Sequence, residues 1–207
     1  MKDTYQLTKD SYEEHAEGLY LLWKDSNLKS NAKIEAFISM LPPGGKILDV
    51  GAGFGKDLVY FLDKGFECVG VDSCKAFIEK ATELCPRCHI LEMDFLDMEF
   101  EEHEFDGVWA RGTLFHLTKA DFRKVLGKIQ RFLKPGGIFY LQMIEGSYEG
   151  VDRIASSEAV ALYSYYRPDE LKEIMLEYGF LFTHEIPRKG WLNHCYRSTK
   201  SSEPGSA

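Results

Sequence analysis

The sequence lacks any apolar run long enough to cross a membrane, and its N-terminus, Met1–Gln6, is polar and followed by further charges. We therefore expect no signal peptide and no membrane partner. Basic residues are also scarce, because 25 Lys and Arg stand against 33 Asp and Glu, which gives a net charge of −8. Sequence-independent binding of nucleic acid needs clustered basic residues. The charge balance thus argues against a nucleic-acid partner and favours a small molecule, with a neutral or cationic one slightly preferred.

The sequence has only five cysteines, an odd number, and they lie in or beside predicted regular elements. A disulfide framework is therefore not expected. This favours a cytoplasmic location. Cys85 and Cys88 form a C-x-x-C pair, a spacing used by zinc sites and redox couples. No second pair follows at zinc spacing, and this pair ends a helix before a strand, whereas a redox pair begins a helix after one. We predict no metal site here and assign the pair no role.

The most informative segment is a glycine-rich turn. The apolar run Ile47–Val50 contains Asp49 and is followed by Gly51, Gly53 and Gly55, after which a helical pattern begins. This order predicts a buried strand, a tight turn without side chains, and a helix whose N-terminal amides face a ligand. A second predicted strand ends in Asp72, 21 residues after Gly51, where a ribose would present its two hydroxyls. The pair of features predicts a nucleoside-containing cofactor.

The spacing of the glycines indicates which cofactor. A dinucleotide turn reads G-x-G-x-x-G, and the position of its last glycine is taken here by Lys56. Asp49 would also repel a pyrophosphate, whereas it suits a cation. A nucleotide-dependent oxidoreductase is therefore the least favoured interpretation.

The D-x-G-x-G-x-G arrangement resembles the first motif of class I S-adenosylmethionine-dependent methyltransferases, and four later segments are similar to that family in the same order. These segments are Asp72, Met93–Phe95, the predicted strand Phe105–Ala110 with Arg111, and the L-K-P-G-G turn that begins at Leu133. The resemblance covers roughly residues 10 to 197. It implies that the cofactor is S-adenosylmethionine, with S-adenosylhomocysteine as product. It further implies that the acidic residue and glycine turn hold the methionine part, that Asp72 binds the ribose hydroxyls, and that Asp94 accepts from the adenine amine. The implied cofactor-binding residues are Asp49, Gly51, Ala52, Gly53, Gly55, Asp72, Ser73, Asp94, Phe95, Ala110 and Arg111.

Strands alternate with helices along the chain, which predicts a parallel sheet with right-handed crossovers, and the last two strands are too closely joined to be parallel. We predict an α/β fold: a doubly wound, mostly parallel, Rossmann-like sheet of seven strands, with helices on both faces and an antiparallel C-terminal hairpin. Residues 1–197 form one domain, with a helical lid region (1–42), a less regular covering segment (145–166) and a disordered tail (198–207). A capping box at Ser11–Glu14 predicts a helix start near residue 11, and Ser73 is expected to cap the helix after Asp72.

Methyl transfer from a sulfonium is an in-line displacement, so alignment and exclusion of water supply much of the catalysis. A general base is needed only when the acceptor must lose a proton early, and His116, just beyond the fourth strand, is the candidate. The alternative is that His116 caps or packs the following helix. Substrate contacts are expected from Tyr12 on the lid helix and from Tyr148, Arg153 and Tyr165 in the covering segment. Tyr12 packed on the surface, and arginines paired with surplus carboxylates, are the alternatives.

Some acceptor classes lack their signatures. Residues Ala110–Thr113 replace the N-P-P-[YF]-like motif of nucleic-acid amino methyltransferases, and no Pro-Cys nucleophile follows the fourth strand. The sequence therefore predicts an enzyme that methylates an O, N or S centre of a small molecule. The competing hypothesis is a non-catalytic S-adenosylmethionine-binding scaffold or regulatory protein. The acceptor and the oligomeric state stay open.

Overall fold

The computed structural model describes residues 4–24 and 31–199, and the elements lie within these ranges. Most of the predicted tail, residues 200–207, lies outside them. The helices are α1 (Thr4–Glu14), α2 (Ala16–Trp23), α3 (Asn31–Ile38), α4 (Lys56–Asp63), α5 (Lys75–Leu84), α6 (Lys119–Phe132) and α7 (Pro168–Glu177), with a 3₁₀ turn at Leu114–His116. The strands are β1 (Lys46–Val50), β2 (Glu67–Asp72), β3 (Ile90–Glu92), β4 (Phe105–Ala110), β5 (Leu133–Ile144), β6 (Glu149–Arg153), β7 (Val160–Ser164), β8 (Phe180–Glu185) and β9 (Trp191–Ser198).

The predicted sheet is confirmed. Seven strands pair in the order β3-β2-β1-β4-β5-β9-β8. The first five are parallel, whereas β9 runs antiparallel to β5 and β8 antiparallel to β9. Strand order reverses between β1 and β4, and in open α/β sheets ligands bind beside the carboxyl ends of strands at such a switch point.

Apolar side chains cover both faces of the sheet. On one face, α6 buries Phe122, Val125, Leu126 and Ile129, the stripe that its 3.6-residue periodicity predicts. On the other, Phe37 of α3 packs against Trp109 of β4, whose indole stacks on Tyr140 of β5 with ring centroids 3.8 Å apart. Packing on both faces holds these strands in position, and with them the loops that follow β1, β2 and β4 at one edge of the sheet.

Three local predictions are wrong. Helix α1 begins at Thr4, not near residue 11, because Ser11 does not cap it: the Ser11 hydroxyl accepts a hydrogen bond from the Val160 amide at 2.9 Å. The covering segment 145–166, predicted to be less regular, holds the antiparallel hairpin of β6 and β7. Strand β9 runs through Ser198, one residue into the predicted tail.

Helix α1 is fastened over this sheet edge by side chains. Besides Ser11, the Thr8 hydroxyl accepts from the Leu162 amide at 2.8 Å, so two residues one turn apart on α1 pair with alternate amides of β7. The helix therefore acts as an additional partner for the edge of the small hairpin.

None of the helices in the described residues combines the length and the apolar character that are needed to span a membrane.

Candidate functional site

A cavity of about 340 Å³ opens at the carboxyl ends of β1, β2 and β4, beneath α1. It brings together predicted cofactor-binding residues with a predicted substrate residue and the predicted base. These are Tyr12, Asp49, Gly51, Ala52, Gly53, Asp72, Ser73, Phe95, Arg111 and His116. The remaining predicted residues do not line it: Gly55, Asp94, Ala110, Tyr148, Arg153 and Tyr165. Its volume lies within the range usual for small-molecule sites.

The turn after β1 has the backbone that glycine permits. Gly51 has φ +76°, and a Cβ placed on it would lie 2.3 Å from Oγ1 of Thr113 and 2.6 Å from its Cβ. A side chain at position 51 is therefore excluded both by conformation and by the loop after β4. Lys56, which replaces the dinucleotide-type glycine, donates from Nζ to the carbonyls of Trp23 and Lys24 and so ties the end of α2 to the turn.

Asp72 organises the second half of the pocket. Its Oδ2 accepts from the Gly53 amide at 2.8 Å and its Oδ1 from the Cys74 amide at 2.9 Å. Burial raises the pKa of Asp72, while these backbone donors act in the opposite direction. The carboxylate thus links the glycine turn to the start of α5 and still lines the cavity.

The predicted helix cap at Ser73 is wrong. Cys74 is the residue that precedes α5, and no side chain caps the helix from that position. The carboxylate of Glu13, on α1, instead accepts from the Ala76 amide at 3.2 Å. A residue distant in sequence therefore satisfies the orphan amide, which a local pattern does not reveal.

Arg111 is held in place by Asp57, a residue that no sequence motif indicates. Its guanidinium donates to both carboxylate oxygens of Asp57, from Nε at 2.5 Å and from Nη2 at 2.9 Å, and the Trp109 indole donates to the same carboxylate at 2.8 Å. Asp49 lies nearby, buried, and its pKa is raised by desolvation and then by repulsion from Asp57. Arg111 acts in the opposite direction on Asp49.

His116 and Tyr12 meet on the wall of the cavity. His116 Nδ1 lies 2.7 Å from the carbonyl oxygen of Leu162, and since a carbonyl only accepts, Nδ1 carries the proton. Nε2 is then the acceptor for the Tyr12 hydroxyl at 2.9 Å. Burial lowers the pKa of His116 to about 4, so the imidazole is neutral at pH 7.

Asp94 stands behind the pocket wall and binds α1. Its Oδ1 accepts from the Tyr5 hydroxyl at 2.9 Å and from the Leu96 amide at 2.9 Å, and its Oδ2 accepts from Lys9 Nζ at 2.6 Å. The adjacent Phe95 does line the cavity. In this arrangement the carboxylate fastens the covering helix, and its contact with adenine stays a prediction.

The predicted substrate residues of the covering segment do not line the cavity. Tyr148 is exposed and donates to the Val151 carbonyl at 3.2 Å, and Arg153 pairs with Glu158. Tyr165 contacts the ring of Tyr148. The residue of this segment that reaches the site is Tyr163, whose ring lies 4.9 Å from that of His116.

Several lining residues carry no sequence signal that marks them. Phe54 and Phe77 pack with ring centroids 4.2 Å apart, and Trp23, Thr113 and Gln142 complete the walls. Asp57 follows Lys56 in the first helical turn, where an acidic residue is ordinary, so its partner on β4 is apparent only in three dimensions.

The five cysteines are free thiols. Cys85 and Cys88 belong to a turn in which the Cys88 amide donates to the Cys85 carbonyl at 2.9 Å. Within residues 4–24 and 31–199, no group of three or more His, Cys, Asp or Glu side chains is arranged to hold a metal ion.

The sequence matches known proteins in the region that builds this site. A methyltransferase domain family matches residues 47–137. An uncharacterized methyltransferase of Synechocystis sp. is 34% identical over 101 residues, which is 49% of this chain and 48% of the relative. The phosphoethanolamine N-methyltransferase of Plasmodium falciparum is 29% identical over 140 residues, 63% of this chain and 53% of the relative. The chain thus spans about half the length of these relatives.

A solved structure extends the likeness to nearly the whole fold. The 1,6-didemethyltoxoflavin-N1-methyltransferase of Burkholderia thailandensis, crystallised with 1,6-didemethyltoxoflavin and S-adenosylhomocysteine, is similar with a TM-score of 0.77. The match covers 97% of this chain and 92% of that one, at 21% identity. At such identity the match concerns the fold alone.

Proposed function

We propose that the chain belongs to the class I S-adenosylmethionine-dependent methyltransferases and that it transfers the methyl group of S-adenosylmethionine to an O, N or S centre of a small molecule. The observation that carries this proposal is the cavity formed by the glycine turn of β1 and the carboxylate of Asp72 at the switch point of the sheet. S-adenosylhomocysteine is the expected product.

The residues present fit this cofactor. The absence of a side chain at Gly51 leaves space that a Cβ would fill. Asp72 lines the cavity, and backbone amides orient both of its carboxylate oxygens. Asp72 would hold the ribose hydroxyls, Phe95 would contact the adenine, and Asp49 with the turn Gly51–Gly55 would hold the methionine part. Ser73, Asp94, Ala110 and Arg111 complete the proposed cofactor-binding set.

When bound, the cofactor supplies a methyl group activated by its sulfonium. The protein aligns the acceptor and excludes water, which is sufficient for an in-line displacement without a covalent intermediate. The aromatic lid residue Tyr12 supports this role, since its ring packs edge-on against Phe77 at 5.8 Å and closes the cavity from the side of α1.

For an acceptor that must lose a proton, we propose that His116 receives it through Tyr12. The Tyr12 oxygen would accept the acceptor's proton while the Tyr12 hydroxyl proton passes to His116 Nε2, the ring nitrogen that carries no proton. The lowered pKa makes His116 a weak base, which suits acceptors whose proton becomes acidic as the new bond forms. Tyr148, Arg153 and Tyr165 lie farther out, where only a large acceptor would meet them.

Several observations favour a small acceptor. The cavity is of small-molecule size, and the net charge of −8 argues against nucleic acid. The two similar proteins described above are named for phosphoethanolamine and 1,6-didemethyltoxoflavin, and both of these compounds are small molecules. Free cysteines are compatible with the cytoplasmic location that we propose.

The test begins with binding. S-adenosylhomocysteine titrated by calorimetry should bind the wild type, and Asp72→Ala should weaken binding about 10- to 150-fold, the loss of about 1.5–3 kcal/mol expected for hydrogen bonds to a charged group. Asp63→Ala removes an exposed carboxylate of α4 that pairs with Arg87, and it should bind as the wild type does. Equal affinity in the wild type and Asp72→Ala would refute the assignment of Asp72.

Transfer is tested with methyl-labelled S-adenosylmethionine and a cell extract separated into metabolites, nucleic acid and protein. Label in the metabolite fraction supports the proposal, and mass spectrometry then identifies the acceptor. Label in a polymer would overturn the proposed substrate class. Cofactor binding with no label in any fraction would favour the scaffold hypothesis.

A further inference from the structure

The turn between α5 and β3 contains two cysteines, Cys85 and Cys88, and the proposed function uses neither of them. The Cys88 amide donates to the Cys85 carbonyl at 2.9 Å and closes a four-residue turn, with Pro86 at its second position, where proline is favoured. Such a turn brings the Cα atoms of its first and last residues to within about 7 Å. A disulfide spans about 4.4–6.8 Å between Cα atoms. The backbone of this segment, which we name the cysteine turn (residues 85–88), therefore has the shape that a disulfide requires.

Both ends of the cysteine turn are anchored. The Cys85 amide donates to the Ala81 carbonyl of α5 at 2.8 Å. On the other side the His89 carbonyl accepts from the Gly70 amide at 2.8 Å, so the residue after Cys88 is tied to β2. Regular elements on both sides thus hold the two cysteines close together in the folded protein.

The two thiols differ in their surroundings. Cys85 is buried and Cys88 is half-buried, while Arg87 between them is exposed and pairs with Asp63 of α4. Burial acts to raise the pKa of Cys85, but hydrogen bonds with the Cys88 thiol and the Arg87 side chain hold that pKa below its ordinary value. Burial, and then the hydrogen bond to Cys85, raises the pKa of Cys88. One thiol of the pair is therefore favoured as a thiolate, which is the form that attacks a disulfide.

The cysteine turn also touches the glycine turn that follows β1. A Cβ placed on Gly55 would lie 3.7 Å from Sγ of Cys88, an ordinary van der Waals distance, and 3.4 Å from the Cβ of Ala81. Gly55 has φ +73° and directly precedes α4, so it is the last residue of the turn that would hold the methionine part of the cofactor. Neither Gly55 nor Cys88 lines the cavity. The Cys88 sulfur therefore supports the glycine turn from outside the cavity.

We propose that Cys85 and Cys88 form a reversible disulfide, with a low-molecular-weight disulfide as the oxidant, and that this bond weakens S-adenosylmethionine binding through Gly55. Bond formation brings the two sulfurs to about 2.05 Å, so Sγ of Cys88 moves towards Cys85 and its contact with the glycine turn changes. The effect on the cofactor rests on the proposed function, whereas formation of the disulfide does not.

The oxidation is a thiol–disulfide exchange in two steps. One thiolate of the pair attacks a sulfur of the external disulfide, so that a mixed disulfide forms and one small thiolate leaves. The second cysteine then attacks the protein-bound sulfur, which forms the Cys85–Cys88 bond and releases the second small thiolate. The two small thiolates take up the two protons that the cysteines lose. Two cysteines are thus oxidised and one external disulfide is reduced.

Peptide mapping tests the disulfide. The full-length protein is incubated with oxidised glutathione, quenched in acid, alkylated and digested with trypsin. Trypsin cleaves between Arg87 and Cys88, so a disulfide of the pair joins peptides 81–87 and 88–111 into one species, which dithiothreitol separates. We expect this joined species in the wild type, and its absence would overturn the proposal.

Calorimetry with S-adenosylhomocysteine measures the effect on the cofactor site. The affinity of the oxidised wild type should be about tenfold lower than that of the reduced wild type, and dithiothreitol should restore it. Because linkage is reciprocal, saturating S-adenosylhomocysteine should lower the equilibrium constant of disulfide formation by the same factor, measured in mixtures of reduced and oxidised glutathione. Equal affinity of the two redox states would overturn the proposal.

Two serine variants locate the effect. Cys88→Ser should bind S-adenosylhomocysteine as the reduced wild type does, and oxidised glutathione should not change its affinity. Cys68→Ser is the matched control, since it removes another half-buried thiol, on β2, and should keep the full response. A full response in Cys88→Ser, or its loss in Cys68→Ser, would overturn the assignment to this pair. If the reduced wild type does not bind S-adenosylhomocysteine, the proposed function fails, and the joined peptides still decide whether Cys85 and Cys88 are redox-active.

Discussion

The Tyr12 hydroxyl donates a 2.9 Å hydrogen bond to Nε2 of His116, and this bond joins the covering helix α1 to the loop after β4. The opposite nitrogen of the same imidazole donates to the Leu162 carbonyl of β7. Three separate segments therefore meet at a single neutral ring. Both side chains of the pair also line the cavity, so the contact contributes to the stability of the cover as well as to the site.

Tyr12→Phe should lower the free energy of unfolding by about 1–3 kcal/mol, because it leaves buried Nε2 of His116 without a donor. Chemical denaturation measures this change. Tyr163→Phe is the control: its ring lies against the same imidazole, and its hydroxyl has no partner among the described residues, so removal should change the free energy by less than about 0.5 kcal/mol. Equal losses in the two variants would contradict the hydrogen bond.

His116 should make the stability depend on pH. Its pKa is about 4 in the folded protein and 6.5 in an unfolded chain, so the unfolded state binds the extra proton between these values. Stability is thus fully present above pH 6.5 and falls as the pH drops toward 4, by about 3 kcal/mol in total. Denaturation of the wild type and His116→Asn at several pH values isolates this contribution. Parallel curves for the two proteins would show that His116 is not titrating in this way.

Gly51→Ala should abolish cofactor binding and destabilise the fold, since the new Cβ would lie 2.3 Å from Thr113 Oγ1 on a backbone with φ +76°. Gly65→Ala separates the two causes, because Gly65 has a similar φ of +84° and open space around it. The control should be destabilised by about 1 kcal/mol through backbone strain and still bind S-adenosylhomocysteine. Calorimetry and denaturation measure both quantities.

Thr113→Gly offers a rescue of the same defect. It removes the side chain that the new methyl group would strike, so Gly51→Ala combined with Thr113→Gly should recover part of the lost stability. Strict additivity of the two substitutions would mean that the steric conflict is not the cause.

Asp57→Ala should cost about 3 kcal/mol, because it leaves the guanidinium of Arg111 and the indole of Trp109 without their shared acceptor. Adding Arg111→Met should restore part of this loss, so a double-mutant cycle should give a coupling above about 1 kcal/mol. The exposed pair of Arg87 and Asp63 is the comparison, and its cycle should give a much smaller coupling, because solvent screens an exposed ion pair. A smaller coupling for Asp57 and Arg111 would contradict the structural role given to the pair.

The fold was largely predictable because its signals are local. Ile47–Val50 is a run of buried residues, Gly51 requires a left-handed backbone, and the stripe on α6 follows the helical period. The start of α1 does not follow the local pattern, because Ser11 has the sequence of a helix cap but its hydroxyl accepts from an amide of β7 instead. Short-range patterns do not distinguish these two uses of a hydroxyl.

The site was predictable only where a single element carries the signal. Asp72 and the glycine turn lie where the motif puts them, at the ends of β2 and β1. The partners of Arg111 and His116 come from α4, α1 and β7, and no spacing along the chain encodes these meetings. The same limit explains why the sequence indicates Tyr148, whereas Tyr163 is the residue beside the imidazole.

The hydroxyls of Thr8 and Ser11 accept the amide hydrogens of Leu162 and Val160, so these two amides are protected only while the covering helix is seated. Their hydrogen-exchange rates therefore report how often the covering helix α1 detaches from β7, and the measurement needs no ligand. For a ligand that enters beneath that helix, the opening rate sets an upper limit on the proposed turnover. Exchange at these two amides thus measures how often the covering helix opens, and it can be measured before the proposed methyl acceptor is identified.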